Sequence, residues 1–318
     1  MAGIKDTNAY EDLLAAWSDL ESGLGVVLGN PHSTQEFAHR IVQYDRWMQG
    51  LMQRDAEVGL YLLFQLAGNS PVGYSASHAL VCAVLCHLTA RELLLPARER
   101  DSLVRAALTM NIAMTSLQDV LAAQTDKLSA EQQEQVRVHP VRGAMLLGQL
   151  GVQDEDWLET VSLHHQTKLP SDALSSLPVG TRLARILMVV DRYAAMISPR
   201  LSRAGRSATE SARAIVASAT ARTDEVAHAL VRSVGLCPPG TYVRLDNDEL
   251  ALVVRRSIKA NQPYVVVVGK SNGEMLSTPY LHCTAEGPPH IRMALAATGV
   301  RAAANHFQVL KLGASAAL

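Results

Sequence analysis

The stretch 164–191 constrains this chain more than any other. It opens on tandem histidines, His164 and His165, and ends on Asp191, a lone carboxylate inside the apolar run RILMVVDRYAAM. A helix that sets Asp191 among Leu187, Val190, Ala194 and Ala195 must bury it. A buried carboxylate has to be paired, protonated or bound to metal, because desolvating a free one is too costly. The fold must therefore bring a partner to Asp191, and that partner decides the function.

At 318 residues the chain is long enough for a full core and more than one structural unit. Its 29 Lys and Arg nearly balance 30 Asp and Glu, so net charge predicts no attraction to a nucleic-acid polymer or to a membrane. The apolar fraction comes mainly from Ala, Leu and Val, which favours helices packed through small residues. Cys82, Cys86, Cys237 and Cys283 form no C-x-x-C pair and read as buried thiols in a reducing compartment. Cys82 and Cys86, four apart, read as core packing in preference to a two-cysteine metal site. No apolar run is long enough to cross a bilayer and the N-terminus lacks a signal-peptide layout, so the expected location is cytoplasmic.

Taken in order, residues 8–29 place Leu13, Leu14, Trp17, Leu20 and Leu24 at helical spacing. A longer helical pattern runs from Ser33 to about Ala67, with a break expected near Asp55. It reads as helical core, with a lid or an arm joining two subunits as the sharper alternative. SASHALVCAVLCHLTAREL is helical and sets His78, Cys82, Leu85 and Thr89 on one face. PARERD starts a helix expected to run through LVRAALTMNIAM. Ser129 with Gln132 forms a capping box ahead of a helix in which His139 precedes Pro140, a residue expected to kink it. The helix DEDWLETVSLHH puts Trp157 and Val161 where His164 and His165 emerge, and Pro170 forbids its continuation. Arginines at 200, 203, 206 and 213 read as a solvated face, with a phosphate cradle as the alternative. From CPPG onward the pattern changes to hairpins around Asp246-Asn247-Asp248 and Asn272-Gly273, and the tail is expected to be helical. The fold class that follows is mainly α. A helical bundle (71–235) has an N-terminal helical region (1–70) before it and a small antiparallel β unit with a C-terminal helix (236–318) after it.

From about 74 to 256 the chain resembles the HD-GYP family, the metal-dependent branch of the HD phosphohydrolases that linearises cyclic di-GMP in bacteria. The matching pieces come in family order: His78-Ala-Leu-Val, AALTMNIAM at 106–114 and Leu128-Ser129-x-Glu131, then His139-Pro140, His164-His165, VVDRYAAMISPR at 189–200 and the trailing P-P-G-x-x-V-x-L segment. By that resemblance the remnant metal ligands are His78, His139, His164, His165 and Asp191. One ion position keeps His78 and Asp191, and its neighbour keeps His139 and His164. The departures fall in the chemistry. Met110-Asn111 stands where the family has its His-Asp pair, Met114 replaces the following lysine, and QTKLPSDALSSLP contains no Gly-Tyr-Pro.

Asparagine offers a neutral carbonyl in place of an anion, and a thioether suits hard ions poorly. Two protein ligands per ion fall short of the three that catalytic sites commonly provide. The resemblance therefore implies a catalytically degenerate protein with no catalytic residues at 110, 111 and 114. No cofactor is expected, or at most a single divalent ion such as Fe or Mn. The implied partners are cyclic di-GMP or a related nucleotide, a diguanylate cyclase (GGDEF) domain or a motility regulator, and a second copy joined through the N-terminal helices. Two alternatives remain open: an active phosphodiesterase in which the five residues converge on one ion, and a structural helical module in which His164 satisfies Asp191 by a hydrogen bond.

Overall fold

A computed structural model describes residues 7–69, 72–166, 172–218, 224–259, 261–296, 300 and 304–316. The N-terminal region folds as α1 (Thr7–Gly29), α2 (Phe37–Arg54) and α3 (Ala56–Asn69). Tyr10, Leu13, Trp17, Leu20, Phe37, Ile41 and Met48 enter the same core as the rest of the bundle, so the helical-core reading holds. The break expected near Asp55 is there. Its carboxylate accepts from the backbone N–H groups of Glu57 (2.9 Å) and Val58 (3.2 Å), capping α3.

Helix α4 (Tyr74–Glu92) forms the axis of the bundle, buried on every side from Ser75 to Ala90. That matches a sequence apolar around its whole circumference rather than along one stripe. Gly73, at φ 129°, turns the chain into it, and Asp119 of a neighbouring helix caps its start. That carboxylate accepts from Ser75 N–H and Ser75 Oγ, each at 2.8 Å. Around α4 lie α5 (Ala97–Thr109), α6 (Thr115–Ala123), α7 (Ala130–Gln149), α8 (Glu155–Leu163), α9 (Val179–Ile197), α10 (Ala208–Ser218) and α11 (Asp224–Val234).

One expectation is corrected here. The helix from PARERD stops at Thr109; Met110 and Asn111 form the exit, and Ile112–Met114 is a separate 3-10 turn. Helix α7 runs on through Pro140, its start fixed by the expected Ser129–Gln132 capping box. Pro170 lies outside the described residues, and α8 has already ended at Leu163.

The β unit comprises β1 (Tyr242–Leu245), β2 (Leu250–Arg255), β3 (Tyr264–Gly269), β4 (Met275–Cys283) and β5 (Ile291–Ala294), antiparallel in the order β4-β3-β2-β1-β5. The tail is therefore strand before it is helix, because Ile291–Ala294 satisfies the open edge of β1. Helix α12 (His306–Ser315) closes the described chain, its Val309 and Leu310 packing with Leu252, Val254, Val266 and Val268 in the main core. Arg255 from β2 reaches Asp55 at 2.7 Å, and Arg256 pairs with Glu57, so the sheet docks on the break between α2 and α3. Cys82 and Cys86 are buried free thiols as expected, whereas Cys237 and Cys283 are only half-buried.

Candidate metal centre and its cavity

Four elements bring the expected residues together: His78 from α4, His139 from α7, His164 and His165 from the end of α8, and Asp191 from α9; all but the fully buried His164 line one cavity. They form two groups. His139, His164 and His165 make an imidazole trio, and His78, Cys82 and Asp191 make a mixed set. The link between them is His165 Nε2, 3.9 Å from Asp191 Oδ2.

The sequence explains how the trio is held. Pro140 has no N–H, so the carbonyl of Val136, four residues earlier, loses its helical partner. His139 Nδ1 takes that carbonyl at 2.6 Å. Val161 lies in the last turn of α8, where carbonyls lack helical donors, and His164 Nδ1 takes its carbonyl at 2.6 Å. A carbonyl only accepts, so both rings carry their proton on Nδ1, and both Nε2 atoms present lone pairs. These two atoms face each other at 3.2 Å.

Two lone pairs at that distance repel unless a cation lies between them. A proton is a poor candidate. Burial pushes His139 down to about 4, with the field of His165 adding to it. Burial with the same field takes His164 down to about 3. A metal fits better, since two ligand nitrogens on a tetrahedral ion stand about 3.3 Å apart for bonds of about 2.05 Å. Carbonyls behind the rings are the usual means of fixing the tautomer a ligand needs. The donor set and its spacing therefore suit one ion.

Asp191 has its partner in His78, whose Nε2 lies 2.8 Å from Oδ1; the partner is not His164, whose Nδ1 is taken by the Val161 carbonyl and whose Nε2 faces His139. Burial works to raise the Asp191 carboxyl, but the His78 hydrogen bond and the fields of His78, His165 and His164 outweigh it and hold the group well below the usual carboxylate range. His78 Nδ1 is buried without a partner. Tyr74 stacks on the His78 ring at 5.5 Å, and the Arg200 guanidinium sits 4.9 Å above Tyr74.

The cavity has a volume of about 210 Å³ and is lined by His78, His139, His165 and Asp191 together with Asn111, Met114, Gln118 and Arg200. Met110 is buried and is not part of that lining. Asn111 Oδ1 and Gln118 Oε1 are buried without hydrogen-bond partners. Of the arginine run, Arg200 lines the cavity, while Arg203 donates to the Ala195 carbonyl at the surface. Sequence reasoning missed Gln118, for which no pattern signals a role. It named Cys82 only as packing, although the spacing of four from His78 already placed both on one face.

A sequence profile of the HD domain matches residues 62–226, which is more than half of the chain. The chain belongs to the HD domain family. It is also 31% identical over 194 residues to a cyclic di-GMP phosphodiesterase of Pseudomonas aeruginosa, a match covering 58% of this chain and 45% of that protein. The chain thus spans less than half the length of this relative, and the resemblance to the HD-GYP branch stands on both findings. Within this HD domain no described helix is long and apolar enough to cross a membrane.

The buried histidines predict a marked acid sensitivity. His87, lowered to about 4 chiefly by burial and by Arg100, behaves like His139 and His164. In the unfolded chain each imidazole titrates near 6.5. Below that pH the unfolded state takes up protons that the folded state refuses, so stability falls as pH falls, until the folded values near 4 and 3 are passed. The gap between folded and unfolded values is worth roughly 3 kcal/mol for each of these residues. Thermal melts of metal-free protein should show a steep loss of Tm between pH 6.5 and 4.5, and a flat profile would contradict these burial assignments.

Proposed function

We propose that this HD domain protein is a catalytically degenerate, non-hydrolytic member of the HD-GYP branch that binds a cyclic dinucleotide or a regulatory partner. The observation that carries this reading is the identity of residues 110 and 111. Asn111 lines the cavity beside His78, His139, His165 and Asp191, and its Oδ1, a neutral acceptor, is buried there without a hydrogen-bond partner; Met110 and Asn111 bring neither an imidazole nor a carboxylate. A bridged ion pair needs an anion at that point to clamp an in-line displacement and to lower the pKa of a water. Met114 likewise brings no charge to the cavity, which leaves Arg200 as the cation among its lining residues. Residues His139, His164 and His165 would hold at most one divalent ion, whose contribution when bound is Lewis acidity. Arg200 and Gln118 would orient an anionic, hydrogen-bonding ligand.

A second reading, a phosphodiesterase working with a single ion, is favoured by the two Nε2 lone pairs facing each other at 3.2 Å. One set of measurements on the purified chain separates the readings: elemental analysis, calorimetry with cyclic di-GMP and its linear product, and a hydrolysis assay with added Mn²⁺. Binding without turnover is expected. Fast turnover would replace the first reading by the second, and absence of both metal and binding heat would leave a structural helical module. The proposed protein partners are a GGDEF domain or a motility regulator. Homodimerisation through the N-terminal helices belongs to the same proposal and is checked by the solution mass.

A further inference from the structure

The mixed group beside the trio has a chemistry of its own. Cys82 follows His78 by one turn of α4, and its Sγ lies 3.6 Å from His78 Nε2, which is itself 2.8 Å from Asp191 Oδ1. All three ligand atoms lie within 4.8 Å of one another. We propose that Cys82 is a metal ligand, and that with His78 and Asp191 it forms a thiolate–imidazole–carboxylate site for a borderline ion such as Zn²⁺.

Three observations carry the assignment. The first is spacing: a sulfur and a nitrogen on one tetrahedral ion stand about 3.6 Å apart for bonds of about 2.3 and 2.05 Å, the separation seen for Cys82 and His78. The 2.8 Å His78–Asp191 contact is a direct hydrogen bond that a bound ion replaces by opening it to about 3.3 Å. The second is charge. A thiolate and a carboxylate together neutralise a divalent ion, which suits a place where Cys82 is fully buried and His78 is 2% exposed. The third is donor softness. Met110 and Asn111 supply no hard anionic donor, and Cys82 adds a soft one, so selection moves from hard ions towards zinc.

Protons balance without any change of oxidation state. The Cys82 thiol gives its proton to solvent, and the His78 proton moves from Nε2 to Nδ1, which is unpartnered in either tautomer. Asp191, whose side chain is 16% exposed, opens the site towards the cavity and leaves room for a fourth ligand.

The assignment concerns the cavity already described but stands whether or not the chain hydrolyses a dinucleotide. Its test is the full chain, stripped by chelation and loaded with Co²⁺ as a spectroscopic substitute for zinc. Wild type should show a thiolate-to-cobalt charge-transfer band in the near ultraviolet. Cys82→Ser should lose the band and bind zinc at least about tenfold more weakly, while Cys86→Ser keeps both properties. Bound cobalt without the band, a band that survives Cys82→Ser, or no cobalt uptake at all would each overturn the assignment, and the wild-type spectrum decides even if a variant fails to fold. Cyclic di-GMP turnover measured on the same samples tests the non-hydrolytic reading separately.

Discussion

Replacing Met110 by His together with Asn111 by Asp is expected to raise the divalent-metal content of the purified protein, with Asn111→Asp supplying most of the gain. Asn111 lines the cavity with His78, His139 and Asp191, and its Oδ1 has no hydrogen-bond partner. A carboxylate there converts a neutral acceptor into an anionic ligand, and since losing even a group that only supports a ligand typically costs about 10- to 100-fold in metal affinity, a direct ligand should gain at least as much. Met110 is 1% exposed, so an imidazole in its place must be accommodated by the core before it can help. Elemental analysis and calorimetric titration with Mn²⁺ read the outcome. An unchanged metal content in a folded variant would show that 106–114 does not sit on the family's His-Asp segment as assigned.

The second large effect concerns the attachment of the N-terminal helices. Asp45 on α2 has a side chain with no solvent exposure; it accepts from Arg105 Nε of α5 at 3.0 Å and from Gln49 Nε2 at 2.7 Å. Burial raises the Asp45 carboxyl, outweighing both partners. Arg105→Met removes the cation and leaves a buried carboxylate uncompensated, which costs roughly 3–5 kcal/mol. Because the folded pKa of Asp45 already lies above its unfolded value and rises further without Arg105, acid protonates the folded variant first. The deficit should therefore shrink between pH 7.5 and pH 5. Denaturant melts at the two pH values check this, and adding Asp45→Asn should recover part of the loss. A deficit independent of pH would mean that packing, not charge, is responsible.

Much of this was legible in the residues, and the reasons differ from place to place. Helical spacing, the capping box at Ser129 and the Asn-Gly turn are local signals, and local signals survive folding. The convergence of five side chains from four elements followed only from the family resemblance, since no spacing in the chain links 78 to 191. The pairing of Asp191 with His78 instead of His164 was out of reach, because it depends on which carbonyl each ring has already taken. Likewise, nothing local marks Ile291–Ala294 as a strand; β1 recruits it across about forty-five intervening residues.

The burial of α4 on all sides has a mechanical consequence. Helices α1 and α3 press directly on the helix that carries His78, and the same region is tied down by Asp45 of α2 to α5 and by Asp55, at the start of α3, to the sheet. A stimulus received by residues 7–69 cannot swing like an arm while its anchors hold. Any displacement of α1 or α3 against their neighbour would have to move the element that carries His78.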